Sequence, residues 1–129
     1  MKILTTLSII VLFSVMTSCD EDCSTPETVI GEWTWVKSYG GLAGHTITPE
    51  SEGYTKHLVI EDHFYKEYIN DSLVHSTQYD LRYDPDSLFG TPYLIWFDTG
   101  GTFTYNHEGD KLEIYEGCPD CYDHFYTRK

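Results

Sequence analysis

Residues 73–83 alternate strictly. Leu73, His75, Thr77, Tyr79, Leu81 and Tyr83 fall on one face, and Ser76, Gln78, Asp80 and Arg82 on the other. A period of two is that of a half-buried β-strand and excludes a helix here. The same pattern recurs along the chain. From Val29 onward, short β-branched and aromatic runs alternate with turn signals about every 8 to 12 residues, and no useful helical period appears. Read this way, strands fall at roughly 30–39, 54–60, 64–69, 73–83, 93–98, 102–106, 111–115 and 122–128. Breakers lie between them: Glu61-Asp62, Asn70-Asp71, Asp84-Pro85-Asp86, Thr99-Gly100-Gly101 and Glu108-Gly109-Asp110. Short connections make sequence neighbours pair antiparallel. Eight such strands in about 100 residues predict an all-β, up-and-down meander closed into a barrel, which removes exposed edges.

The first 28 residues read differently. Met1 and Lys2 precede an acid-free apolar run over 3–16, shorter than the roughly 20 residues a membrane span needs. That is the pattern of a secretory signal. Residues 24–28, Ser-Thr-Pro-Glu-Thr, form a polar spacer of tether composition. The predicted organisation is a leader at 1–18, a tether at 19–28 and one domain at 29–129.

The end of the leader, Val15-Met16-Thr17-Ser18-Cys19, resembles the lipobox of bacterial lipoproteins, and Asp20-Glu21-Asp22 resembles an acidic surface-export tag. The resemblance implies that residues 1–18 are a lipoprotein signal peptide and that Cys19 becomes the acylated N-terminus. It places the domain on the outer membrane, at the cell surface or the periplasmic face. Several acyl chains on one residue hold a soluble domain on a bilayer, since each buried CH₂ contributes about 0.8 kcal/mol.

Gly31-Glu32-Trp33 opens the first predicted strand, and Arg128 closes the last. This pairing resembles the lipocalins and the wider calycin group, in which the last-strand Arg packs over the indole. The stretch GEWTWVKSYGG, the Thr-Pro-Glu-Ser-Glu-Gly loop at 48–53 and the final FYTRK resemble small bacterial lipocalin-like lipoproteins over about residues 29–129. The resemblance implies a lipocalin-like eight-stranded barrel in which Gly31, Trp33 and Arg128 are structural. It also implies that loop 40–52 lies over the barrel mouth as a lid, offering Leu42 and Ile47 inward to a ligand, with Gly40, Gly41 and Gly44 making it adaptable. Strands this short make a shallow barrel, filled by its own side chains or holding one small ligand.

Charge narrows the partners. The chain carries 21 acids and 8 bases, a net charge of −13; loss of Lys2 with the leader leaves 7 bases and a charge of −14. Such a balance excludes nucleic acid and anionic membrane surfaces as partners recruited by basic patches.

Cys118-Pro119-Asp120-Cys121 is the sharpest local motif. Three chemistries fit a CxxC: a disulfide stapling the loop, zinc with ligands from His45, His107 or His124, or a redox centre. No helix-opening βαβ pattern lowers a thiol pKa here, and no second CxxC repeats the spacing. An extracytoplasmic setting favours the disulfide. In a closed barrel Cys23 lies at the opposite end from Cys118 and Cys121, so the local pair is expected. His75, on the apolar face of its strand, reads as a core histidine. No nucleophile elbow, phosphate-cradling loop or EF-hand appears, so no catalytic residue, metal or cofactor is assigned. The expected function is non-catalytic binding of a small apolar or aromatic molecule. The alternative is a packed barrel that docks another envelope protein.

Overall fold

A computed structural model describes residues 28–87 and 90–129. The expected signal peptide and most of the tether, with Cys19 and Cys23, lie outside the described residues. In chain order the elements are β1 (Gly31–Gly40), β2 (His45–Ile47), α1 (Pro49–Glu52), β3 (Lys56–Ile60), β4 (Phe64–Ile69) and β5 (Ser72–Tyr83). They continue with β6 (Tyr93–Phe97), β7 (Thr102–Glu108), β8 (Lys111–Tyr115) and β9 (Tyr122–Arg128). Each of β3 to β9 pairs antiparallel with the next, and β1 pairs with both β3 and β9. Eight strands therefore close into an antiparallel barrel. The ninth, β2, pairs only with the last residues of β1.

The tight turns follow local chemistry. Asn70 and Asp71 both take positive φ, 47° and 64°, as the two central residues of a two-residue hairpin require. Segment 40–52, expected as a loop, instead forms β2 and α1. Its signal was present in the sequence. Thr48 caps α1 by accepting from Ser51 N–H, Pro49 opens the helix, and Gly53 ends it in the left-handed conformation.

Antiparallel connections alternate between the barrel's two ends. The start of β1, the β7–β8 turn and the end of β9 share one end, called closed here. The segment between β1 and β3, the turns at Asn70–Asp71 and Thr99–Gly101, and the β8–β9 connection lie at the other, open end. The core is aromatic: Trp33, Trp35, Tyr65, Tyr79, Phe97, Tyr105 and Tyr126 are buried with Leu58, Ile60, Ile95, Leu112 and Ile114. Burial, the largest cause, raises the phenols of Tyr65 and Tyr126 well above the usual tyrosine range.

Two bulges change which residues point inward. Between Trp35 and Lys37 the register against β9 slips, leaving Val36 as the extra residue. Trp33 and Trp35 face the core, and after the bulge Ser38 does too. A second slip makes Val74 the extra residue on β5, with Leu73 opposite Tyr68 and His75 opposite Glu67. Leu73 thus leaves the face of Thr77 and Tyr79. The expectation of a continuous buried face over 73–83 is corrected further: only Thr77 and Tyr79 are buried. β4 covers β5 up to Gln78, whereas β6 covers it only from Tyr79. The face is enclosed only where the two partners meet.

Candidate functional site

At the closed end the Arg128 guanidinium carbon lies 4.2 Å from the centroid of the Trp33 ring. Trp33 and Arg128 are register partners across β1 and β9. The indole is fully buried and donates its N–H to the Val29 carbonyl at 2.8 Å. Arg128 in turn donates to the carbonyls of Ile30 at 3.2 Å and Thr28 at 3.1 Å. Gly31 permits this approach: a Cβ there would stand 2.6 Å from an Arg128 nitrogen, and its φ of 144° suits glycine. The three residues form a structural plug.

At the open end a hydrogen-bonded chain runs along the β1–β9 wall. Trp35 Nε1–H donates to Ser38 Oγ at 2.8 Å. Ser38 Oγ lies 2.6 Å from His124 Nδ1, and His124 Nε2 lies 2.7 Å from Glu116 Oε1. An indole only donates, so the Ser38 oxygen accepts from Trp35. An ionised carboxylate only accepts, so His124 Nε2–H donates to Glu116. The His124 hydrogen bond holds the Glu116 carboxyl below the usual carboxylate range. The residue types are those of a Ser–His–acid relay. Ser38, however, is 0% exposed and already receives the Trp35 N–H, so no substrate carbonyl reaches its oxygen. The chain instead ties β1 to β9 and to the β8–β9 connection. Sequence reasoning missed it, because unbroken alternation from Trp33 and Trp35 would turn Ser38 outward.

Beside this chain the barrel opens into a recess of about 500 Å³. Its wall includes Tyr65, Glu67, Val74, His75, Phe97 and Phe103, and the Thr99–Gly101 turn forms its lip. Tyr65 meets Phe97 edge to face, with centroids 5.1 Å apart, and Phe97 meets Phe103 likewise at 5.0 Å. His75 is thus an exposed wall residue at the mouth and not a core histidine. Glu67 pairs with Lys56 at 3.4 Å, and the Lys56 ammonium also lies 5.3 Å from the centroid of Trp35.

The expected mouth residues are placed differently. Leu42 sits in the turn between β1 and β2, is 91% exposed and does not line the recess. Ile47, at the end of β2, packs against the core. The glycines expected to loosen this segment pin it. A Cβ on Gly40 would meet the Cys121 carbonyl oxygen at 2.2 Å, and Gly41 N–H donates to that oxygen at 3.3 Å.

Cys118 and Cys121 form a disulfide with Cα atoms 5.2 Å apart. Among the described residues, Glu116, Cys118 and Cys121 group their ligand atoms within 4.8 Å. In the disulfide the two sulfurs are bonded to each other and offer no thiolate, and Glu116 is engaged by His124. Of the histidines named for zinc, His107 lies at the closed end, 5.3 Å from Trp33 between ring centroids, and exposed His45 opens β2. Comparison of the chain with protein-family models, curated proteins and solved structures finds no match.

Proposed function

We propose that the protein is a lipid-anchored, lipocalin-like binding barrel of the cell envelope, whose open end takes one small aromatic or apolar molecule without chemistry. The observation that carries this reading is the recess at the open end, walled by Tyr65, Phe97 and Phe103. Its volume lies within the range of small-molecule sites. Below it the interior is filled by side chains, so the ligand is small and shallowly held. The test is titration with a neutral fluorescent naphthalene probe. The expected result is one-to-one uptake that Val74→Trp weakens about tenfold, a change of about 1.4 kcal/mol in binding. Val74 is exposed, so the added indole occupies the recess without entering the core and leaves the melting temperature nearly unchanged. Leu42→Asp should leave uptake unaltered. Absence of uptake by the unaltered protein would transfer the reading to a packed barrel that docks an envelope protein.

The anchoring part rests on the sequence around Cys19. Mass spectrometry of membrane-extracted protein should find Cys19 as an acylated first residue, and Cys19→Ala should move the folded domain to the soluble fraction. An unmodified N-terminus at any other residue would end that part of the proposal, while leaving the recess untouched.

A further inference from the structure

We infer that the recess, read as the binding site above, selects an organic cation: an amine or quaternary ammonium carrying an apolar or aromatic group. Glu67 is the one carboxylate in its wall, and no lysine or arginine lines it. The Glu67 side chain keeps part of its surface open while Lys56 pairs with it at 3.4 Å. The pair is made through Glu67 Oε1, and Lys56 itself is not part of the recess wall. Lys56 contributes to holding the Glu116 carboxyl down, after the larger effect of His124.

The surroundings add in the same direction. The four connections at the open end carry Glu50, Glu52, Asp71, Asp98, Glu116 and Asp120, and no lysine or arginine. Connections of one sign of charge around a mouth with low-dielectric walls raise the local concentration of the opposite charge, with Lys56 the cation they outnumber. The walls are Tyr65, Phe97 and Phe103, and aromatic faces attract cations. A bare metal ion is poorly matched, since it needs several oxygen ligands and the wall offers a single carboxylate among rings. A cation spread over alkyl or aryl carbon suits both the rings and Glu67.

Three naphthalene probes of matched size test the inference: one neutral, one bearing trimethylammonium and one bearing sulfonate. In the unaltered protein the cation is expected to bind about tenfold tighter than the neutral probe, with the anion weakest. Raising salt from low to near-molar should erode the advantage of the cation and leave the neutral probe nearly unmoved. Glu67→Gln should remove most of the preference while neutral uptake stays within about twofold. Phe103→Leu, which keeps an apolar side chain but removes the ring, should weaken the cation more than the neutral probe. Equal one-to-one binding of the neutral and cationic probes by the unaltered protein would overturn cation selection and leave the binding site standing. Uptake of none of the three would remove both.

Discussion

Trp33→Ala is expected to lower the unfolding free energy by about 3–5 kcal/mol, measured by urea denaturation, the cost of removing a large core aromatic. Trp33 is fully buried, its N–H satisfies the Val29 carbonyl, and its face supports Arg128. The substitution therefore opens a cavity, orphans an acceptor and leaves a guanidinium over empty space. Arg128→Ala should cost less, about 1–2 kcal/mol, because the side chain is partly exposed and its acceptors reach water. The double variant should be less destabilised than the sum of the singles, with a coupling of about 0.5–1.5 kcal/mol. Strict additivity would show that the stacked geometry contributes nothing, and the plug would reduce to two independent side chains.

The second large effect is expected at Gly40. Alanine there would place a Cβ 2.2 Å from the Cys121 carbonyl oxygen and 2.9 Å from the Tyr122 Cα. Both are backbone atoms, so no rotamer change relieves the clash. The φ of 152° adds strain for any residue bearing a side chain. Together these cost about 2–5 kcal/mol, the sum of an overpacking and a backbone term. Gly53→Ala is the control: φ is 73° and no atom lies within 4 Å of the added carbon. It should cost only about 1 kcal/mol. In a domain of this size each 1 kcal/mol moves Tm by roughly 4–8 °C, so thermal melts separate the two variants. Equal melting temperatures would mean that the disulfide loop yields freely, and that β1 and Cys121 are not in firm contact.

The strands were legible because a closed meander repeats one simple instruction, and its turn residues sit where the hairpins need them. Asn70-Asp71 and the Gly100-Gly101 pair mark their turns without tertiary help. The bulges were not legible. An extra residue at Val36 or Val74 leaves no mark in an apolar–polar pattern, yet it decides that Ser38 faces His124 and that Leu73 turns outward. Segment 40–52 could have been read more closely, since Thr48, Pro49 and Gly53 carry capping chemistry. Its glycines could not, because glycine marks slack chain and tight contact alike. The recess combines residues from three hairpins, and only the register brings Glu67, His75 and Phe97 to one wall.

Arg128 reaches the Ile30 carbonyl across 98 residues of sequence, and Lys129 N–H donates to the Glu32 carbonyl beside it. The seam that completes the barrel therefore joins the first strand to the last. Seven of the eight strand pairings link sequence neighbours within the barrel and can form hairpin by hairpin as the polypeptide emerges. The eighth waits for β9, residues Tyr122–Arg128, to be synthesised. Until then β1 and the growing sheet's far edge both present unpaired N–H and C=O groups, a template for association with other nascent chains. Closure is a long-range step, slow by its loop entropy. A chain that stops before β9 keeps six of the eight pairings and loses both that β9 makes, which leaves β1 and β8 as open edges.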